Sequence, residues 1–167
     1  MTQSQGFPPV SAPDAQLLIL GSMPGVASLK ATQYYAFPRN AFWRIMGELF
    51  DAGPELDYPA RLDRLLLNRV ALWDVIAACQ RPGSLDSSIA VDGLVTNDFA
   101  RFFDHHPAIT RVAFNGQTAA RLFRKMVRPG LALELEYLTL PSTSPAHAAL
   151  DYAAKLEAWS VLKMGSE

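Results

Sequence analysis

Short apolar runs that end in turn-forming residues recur along this chain and predict buried strands. Runs of this length, closed by glycine, proline or asparagine, are typical of strands rather than helices. We predict four strands, over residues 16–20, 70–75, 111–115 and 134–140. A polar segment follows each of the four runs, which indicates that the chain turns there.

Between the predicted strands, apolar residues recur at three- and four-residue spacing, which predicts amphipathic helices. The clearest case is the segment 40–49, in which Phe42, Ile45 and Leu49 share one helical face. Further helices are predicted over 60–67, 97–103, 117–127 and 146–162. Strands that alternate with helices in this way, without internal repeats, predict an α/β domain with a mostly parallel sheet.

Residues 1–14 hold three prolines among Ser, Gln and Gly, and we expect them to form a loose N-terminal lead-in. Residues 15–167 suit a single domain with a sizeable core, since half of the chain is hydrophobic. No apolar run approaches the roughly 20 residues that span a bilayer. The first residues also lack the basic and apolar regions of a signal peptide, so we expect a cytoplasmic protein without a membrane partner.

Metal-binding side chains are scarce in this sequence. Cys79 is the single cysteine, so it cannot form an internal disulfide or hold an iron–sulfur cluster. Two of the three histidines are adjacent and the third is remote, which disfavours a structural zinc site. If the chain is an enzyme, we expect it to need no metal and no cofactor. The net charge of -1 disfavours binding to nucleic acid by bulk charge but allows a local basic face.

The polar segments that follow the strands predict a pocket. They are 21–25, Asp74, 115–116 and 141–144. Ligand sites of open parallel sheets lie beyond the carboxyl ends of the strands, where these segments would meet. The segment GSMPG at 21–25 forms a tight turn that can aim backbone N–H groups at a ligand. By itself it fits an ordinary turn between strand and helix equally well.

The segment YYAFPRNAFW, at 34–43, is rich in aromatic residues. Phe42 and Trp43 suit the buried face of a helix, whereas Tyr34 and Tyr35 precede Pro38 in a predicted loop. Proteins use a flat aromatic side chain in a pocket-lining loop to stack on a nucleic-acid base. This segment therefore suggests a site for a base.

In their order and spacing, these segments resemble the uracil-DNA glycosylase superfamily over nearly the whole chain, from about Leu17 to Trp159. GSMPG followed by YYAFPRNAFW resembles the mismatch-specific uracil/thymine branch. Together with ALWDV (71–75), GSLDSSI (83–89), FNG (114–116) and LPSTSPA (140–146), they most resemble the deoxyinosine (hypoxanthine) DNA glycosylase branch. The resemblance implies a three-layer α/β/α fold around a central four-stranded, mostly parallel sheet.

For function, the resemblance implies a monofunctional DNA glycosylase of base excision repair. Such an enzyme flips a deaminated base out of DNA and hydrolyses its N-glycosidic bond. We expect hypoxanthine as the first substrate, uracil or a mismatched pyrimidine as the second, and a monomer without a cofactor. Two alternatives stay open: a non-catalytic reader of lesions or single strands, and an enzyme that acts on free nucleosides.

The resemblance also assigns roles to individual residues. Tyr35 aligns with the aromatic that stacks on the base, and Asn40 aligns with the motif asparagine, which could orient water or bond the base. The backbone N–H groups of Ser22 and Met23 could stabilise the departing base. The predicted base-binding set is Gly21, Ser22, Met23, Pro24, Gly25, Tyr35, Phe42 and Asn115.

Asp74 joins Asn40 as a predicted catalytic residue. It ends the second strand, where the uracil-specific branch carries its base-reading asparagine. A carboxylate there would accept a hydrogen bond from N1–H of hypoxanthine or N3–H of uracil, and it could help to position water. A turn-capping role is equally open. For Asp86, in the segment 83–88, we favour a structural role over a phosphate contact.

Contacts to the DNA backbone are expected from hydroxyls near a helix start and from a nearby cation. The hydroxyls of 142–144 precede a helix predicted to begin near Pro145, and helix N-termini bind phosphate. The same serines could simply cap that helix. The predicted set is Arg39, Ser142, Thr143, Ser144 and His147.

Several positions depart from the family pattern. Met23 stands where many members have a water-positioning Asp or Asn, and Phe37 stands where the motif has histidine. Leu140 replaces the histidine that stabilises the leaving base in the uracil-specific branch, and Ser144 replaces the leucine that enters the vacated stack. We therefore expect a weak or broader activity on deaminated purine rather than efficient removal of uracil.

Overall fold

The computed structural model describes residues 3–80 and 93–163. Within these ranges the strands are β1 Gln3–Gln5, β2 Leu17–Gly21, β3 Val70–Asp74, β4 Ile76–Gln80, β5 Val95–Thr96, β6 Arg111–Asn115 and β7 Glu136–Leu140. The helices are α1 Val26–Ala31, α2 Phe42–Phe50, α3 Tyr58–Leu67, α4 Phe99–His105, α5 Gln117–Met126 and α6 Tyr152–Trp159. Two short 3₁₀ turns cover Arg128–Gly130 and Ser160–Lys163. The predicted loop around Asp86 lies outside the described residues.

The central sheet has the order β3-β2-β6-β7, and every neighbouring pair is parallel. Gly21 pairs with Asp74, and Asn115 pairs with Leu140, so the last residues of all four strands stand in line. The predicted four-stranded parallel sheet is therefore confirmed. Its register brings the four predicted turn segments to one edge, as parallel strands must.

Helices cover both faces of the sheet. Successive side chains of a strand point to opposite faces. Ile19 accordingly belongs to one buried cluster, with Phe42, Trp159 and other residues of α2, α3 and α6. Leu18 and Leu20 belong to a second cluster, with aromatic side chains of α4 and α5. The predicted three-layer α/β/α fold is thereby confirmed.

Residues 3–11 are not the loose lead-in that we expected over 1–14. β1 pairs with β4, and Val10 exchanges two backbone hydrogen bonds of 2.9 Å with Leu72. The Trp73 indole N–H donates to the Phe7 carbonyl at 3.0 Å, and the Tyr34 hydroxyl donates to the Pro8 carbonyl at 3.0 Å. Prolines remove backbone donors but keep their acceptors. A proline-rich segment can therefore dock by accepting hydrogen bonds from remote side chains.

A second, antiparallel sheet of order β1-β4-β5 was not predicted. β1 and β5 have only three and two residues, and the apolar residues of β4 follow almost directly on β3. The closing helix is also shorter than the predicted 146–162. It begins at Tyr152, where the Asp151 carboxylate caps it by accepting from Ala154 N–H at 2.9 Å, and turns precede it. No helix within the described ranges is long and apolar enough to cross a membrane.

Candidate active site

A cavity of about 1050 Å³ opens at the carboxyl edge of the central sheet. All four turn segments that the sequence predicted to meet contribute to its walls, which confirms the predicted pocket. The lining also includes residues of the aromatic segment and of α5 and α6. Its members are 21–28, Tyr34, Tyr35, Phe37, Asn40, Asp74, 115–118, 139–147, Leu150 and Ala158. Cavities of this size hold small-molecule ligands as large as a nucleotide.

A carboxylate and a hydroxyl from other segments lie in close contact with the backbone at the end of β2. A Cβ atom on Gly21 would lie 2.6 Å from Oδ1 of Asp74 and 2.7 Å from the Tyr35 hydroxyl oxygen. Real Cβ atoms do not approach other atoms so closely, so this packing requires glycine. Asp74 is only 3% exposed, although it lines the cavity. A buried acceptor and a phenol therefore stand together at one end of the site.

The backbone turn from Gly21 to Gly25 is held by the strand beside it. The carbonyls of Gly21 and Ser22 accept hydrogen bonds from Val75 N–H at 2.8 Å and Ile76 N–H at 3.0 Å. Each of the five residues predicted in this turn lines the cavity. Met23 is mostly buried and packs with Ile76 and Cys79, so its side chain closes the wall by apolar contact.

Tyr35 adopts a backbone conformation that bulky residues avoid, with φ at 54°. Hydrogen bonds on both sides hold it there: the Trp43 indole N–H donates to the Tyr34 carbonyl at 2.9 Å, and Ala36 N–H donates to Ser28 Oγ at 3.0 Å. Strain of this kind persists where the surroundings determine it and is common at functional sites. It places the Tyr35 ring in the cavity wall.

Phe42 does not reach the cavity, which contradicts its predicted contact with the base. It is fully buried, and its ring stacks on Tyr35 with centroids 3.9 Å apart and planes inclined by 21°. Phe42 is the first residue of α2, so its side chain enters the core. The two stacked rings therefore lie with Tyr35 at the cavity and Phe42 behind it.

The neighbouring Tyr34 contributes a structural hydroxyl. Burial, reinforced by the nearby Asp74 carboxylate, raises the pKa of Tyr34 far above its usual value. The phenol therefore stays protonated and serves as the donor to the Pro8 carbonyl. This bond ties the aromatic segment to the N-terminal residues.

Asn40 lines the cavity as predicted. Its Oδ1 atom accepts a hydrogen bond from Phe42 N–H at 3.0 Å, and its own N–H donates to the Phe37 carbonyl at 2.9 Å. These two bonds fix the side chain at the start of α2. The amide oxygen has a second lone pair and the amide nitrogen has two donors, so both remain suited to a ligand or a water molecule.

Asn115 and Thr143 form a buried pair that holds the loop after β7. Asn115 Nδ2 donates to Thr143 Oγ1 at 3.0 Å, and Thr143 N–H donates to Asn115 Oδ1 at 2.9 Å. Both residues line the cavity, but these bonds engage the amide of Asn115, which was predicted to bind the base. Thr143 is only 1% exposed although it lines the cavity, and its contact with the DNA backbone stays a prediction. The hydrogen bonds between the end of β6 and the loop after β7 thus engage polar groups of both residues.

Helix α6 anchors the same loop from the other side. The Trp159 indole N–H donates to the Pro141 carbonyl at 2.9 Å, and Lys155 Nζ donates to the Ser144 carbonyl at 3.1 Å. Lys155 is 5% exposed, and burial lowers the pKa of its ammonium group. Sequence reasoning missed Lys155, because nothing in the local pattern of a helix shows which loop a buried lysine meets.

Ser142, Ser144 and His147 line the cavity, and their contact with the DNA backbone stays a prediction. The hydroxyl of Ser142 accepts from Ser144 N–H, and that of Ser144 accepts from Ala146 N–H, each at 3.2 Å. The helix that we expected to begin near Pro145 is absent at that point, since α6 begins at Tyr152. The serines therefore stabilise a turn and do not cap a helix.

The remaining predicted residue, Arg39, is exposed and lies outside the cavity lining. Its guanidinium carbon is 5.4 Å from the ring centroid of Phe37, which does line the cavity. Arg39 is therefore at the rim, where it can meet a phosphate outside the cavity. No group of three His, Cys, Asp or Glu residues in the described ranges is arranged to hold a metal ion.

This chain is similar to known proteins in family, sequence and structure. Residues 8–163 match the model of the uracil DNA glycosylase superfamily. A hypoxanthine DNA glycosylase of Methanosarcina barkeri is 39% identical over 116 residues, which cover 69% of this chain and 72% of that protein. A hypoxanthine DNA glycosylase of Methanosarcina acetivorans is 36% identical over 144 residues, covering 86% of this chain and 87% of that protein.

A solved structure is similar over almost its whole length. It is the solution NMR structure of a candidate uracil DNA glycosylase from Methanosarcina acetivorans, with a TM-score of 0.80 and 32% sequence identity. The match covers 97% of this chain and 98% of that one. The similarity therefore includes the sheet, both helical layers and the segments around the cavity.

Proposed function

We propose that this chain, which belongs to the uracil DNA glycosylase superfamily and is a DNA glycosylase, releases hypoxanthine from DNA by hydrolysis. It would act in base excision repair as a monomer, on DNA that contains deaminated bases. The observation that carries this choice of base is the buried Asp74 carboxylate at the end of β2, pressed against Gly21.

The carboxylate suits a deaminated purine because of its hydrogen-bonding capacity. An ionised carboxylate only accepts, whereas N1 of hypoxanthine carries a hydrogen that it can donate. Adenine has an unprotonated acceptor at the same position, so two acceptors would face each other and no hydrogen bond could form. A buried polar group left unpaired costs about 1–3 kcal/mol, which is the scale of the discrimination expected. Uracil shares an N–H beside a carbonyl, so weaker activity on uracil is compatible with the same site.

Stacking supplies the second part of base recognition. The Tyr35 ring lines the cavity and rests on Phe42, so a flipped base that stacks on Tyr35 extends an existing stack. Stacking of a base on an aromatic side chain contributes about 1–3 kcal/mol and tolerates any base. Tyr35 would therefore bind the base, and Asp74 would select it.

Bond cleavage needs a stabilised leaving group and a positioned water molecule. As the bond between C1′ and the base nitrogen breaks, its electron pair goes to the base, and backbone N–H groups at Ser22 and Met23 can stabilise that charge. The water oxygen then bonds to C1′, and its proton is lost to solvent or to the carboxylate. Asn40 can accept a hydrogen bond from this water through the second lone pair of Oδ1, but it is not a base.

The experiment is single-turnover cleavage of labelled duplexes that carry hypoxanthine, uracil or a T:G mismatch, with chelator present throughout. We expect the fastest release from the hypoxanthine duplex. Asn40→Ala should abolish most of the release while leaving duplex binding intact. If hypoxanthine is released no faster than uracil or thymine, the proposed substrate is wrong. If release is unaffected by Asn40→Ala, the role of positioning the water must be assigned to Asp74 instead.

A further inference from the structure

We propose that Phe37 is the wedge of this enzyme: its ring enters the DNA duplex and fills the space that the flipped base leaves. The inference rests on the proposed function in one respect, that the target base is taken out of a duplex. A base can reach the cavity only by leaving its stack, and the gap behind it then exposes the faces of the neighbouring bases. Proteins commonly fill such gaps with an apolar side chain.

Exposed apolar side chains identify the candidates. Three of the large ones in the described ranges lie at the cavity: Val26 at 38%, Phe37 at 40% and Leu150 at 39% exposure. Phe37 is the one aromatic residue among all the exposed large apolar side chains of those ranges. A flat ring matches the spacing between stacked bases and can contact both faces. The position thus exposes an apolar group where the DNA must lie.

The tip that carries Phe37 is rigid. Residues 37–39 are exposed, while the residues on either side are tied to the body. Ala36 N–H donates to Ser28 Oγ at 3.0 Å, and Asn40 N–H donates back to the Phe37 carbonyl at 2.9 Å. Pro38 restricts the backbone between these anchors further. A backbone anchored in this way loses little conformational entropy when the ring enters DNA.

The positive charge of Arg39, beside the Phe37 ring, also suits binding to DNA. Arg39 is exposed, and its guanidinium group lies 5.4 Å from the Phe37 ring centroid. A phosphate lies beside every base step, so a ring that enters a step brings an adjacent arginine to the backbone. Phosphate contacts of this kind position a protein on DNA without reading its sequence. Ring and cation therefore form one contact surface for a duplex.

The serine loop on the other wall cannot play this part. Ser144 is small, and its hydroxyl accepts from Ala146 N–H. Leu150 is large enough, but it lies in a different loop from the residues assigned to the base. Phe37 lies two residues after Tyr35 and three before Asn40. Its ring would therefore enter the duplex beside the residues that stack on the base and position the water.

The test compares duplex and single-stranded substrates of the same sequence. We expect Phe37→Ala to slow release from the duplex by about tenfold or more, because the gap stays empty and the base returns. Release from the single strand should stay within about twofold, because a base there leaves no gap in a duplex that the ring could fill. Phe37→Trp should retain most of the duplex activity. Leu67→Ala, at an exposed apolar residue away from the cavity, is the matched control and should change neither rate.

A binding measurement decides the question without base release. A duplex with a stable abasic analogue already contains the gap, so the wild-type protein should bind it more tightly than the intact duplex. Phe37→Ala should remove about tenfold of that preference, whereas Leu67→Ala should keep it. The assignment to Phe37 would be overturned if Phe37→Ala slowed base release equally on single and double strands. It would also be overturned if only Leu150→Ala slowed release specifically from the duplex. A wild-type protein that releases no hypoxanthine would refute the proposed substrate, and the abasic duplex would still decide the wedge.

Discussion

Oδ1 of Asp74 lies where a side chain on Gly21 would begin, 2.6 Å from the position of a Cβ atom. The two residues are register partners at the ends of β2 and β3. A glycine at the end of one strand thus makes room for the carboxylate of the next. The backbone and the carboxylate together close the inner end of the cavity.

Replacement of Gly21 tests this relationship. Gly21→Ala must displace Asp74 and the Tyr35 hydroxyl, because both lie under 3 Å from the new Cβ atom. We expect single-turnover release to fall by about 10- to 100-fold, while the Tm drops by only a few degrees. The control is Gly130→Ala, where a Cβ atom meets no other atom within 4 Å. A Gly21→Ala enzyme with normal activity would show that the carboxylate does not act from this position.

Asp74→Asn changes hydrogen-bonding capacity without changing shape. An amide can present either a donor or an acceptor, so it no longer opposes the N1 acceptor of adenine. We expect slower release of hypoxanthine by about tenfold or more and a smaller preference for hypoxanthine over adenine. The measurement is the ratio of single-turnover rates on two duplexes that differ only in that base. An unchanged ratio would assign the choice of base to another group.

The pair formed by Asn115 and Thr143 should matter for both stability and activity. Asn115→Ala leaves two buried groups of Thr143 without their partner, which should cost about 1–3 kcal/mol in the free energy of unfolding. Base release should also slow, because the loop that carries Ser142 and Ser144 loses an anchor at the cavity. Urea unfolding and single-turnover rates would measure the two effects.

Asn68→Ala is the matched control for that substitution. Asn68 also makes two side-chain hydrogen bonds, to the carbonyls of Phe50 and Arg64, but it lies away from the cavity. It should lower stability with no change in the rate of base release by the folded enzyme. A similar loss of rate in both variants would mean that the anchor acts only through global stability.

The lowered pKa of Lys155 predicts that the stability of the protein depends on pH. Burial lowers the pKa of its ammonium group below the ordinary value of 10.5, so the unfolded chain binds more protons between the lowered pKa and 10.5. In that window the contribution of Lys155 to the free energy of unfolding must rise with pH. Compared with Lys155→Met, the wild-type protein should therefore gain stability as the pH rises from neutral towards 10.5.

Urea unfolding of both proteins at neutral and alkaline pH would test this sign. Taking the difference between the two proteins removes the contributions of all other titrating groups. Lys155→Arg provides a comparison that keeps the charge and the hydrogen-bond donors. A difference that stays constant with pH would mean that the ammonium group is not desolvated in the folded state.

Much of the site could be predicted because it depends on local pattern and on the geometry of parallel sheets. Apolar runs at 16–20 and 111–115 predicted strands within a residue or so of β2 and β6. Parallel strands place their carboxyl ends on one edge, so the polar segments after them had to meet. Asp74 could be placed at the cavity from its position at a strand end, and Asn40 from the resemblance of its motif to the glycosylase family. The comparisons support the glycosylase interpretation over the non-catalytic reader and the nucleoside enzyme.

What the tertiary structure decided depends on contacts between segments that are distant in the chain. Phe42 and Tyr35 were both placed in the predicted base-binding set, and only the packing of α2 shows that the Phe42 ring supports the Tyr35 ring. Thr143 is buried and exchanges two hydrogen bonds with Asn115, which lies 28 residues away in the chain. The proline-rich lead-in docks by accepting hydrogen bonds from Tyr34 and Trp73, which no local pattern can reveal.

The sequence by itself therefore determined the sheet, its functional edge and the chemical types of side chain gathered there. Local periodicity and strand direction are sufficient for that, because they act within each segment and through a single rule of topology. Only the tertiary structure decided which of those side chains face the cavity and which support it. That choice depends on how remote surfaces pack against each segment, as they bury Phe42 and leave Phe37 exposed.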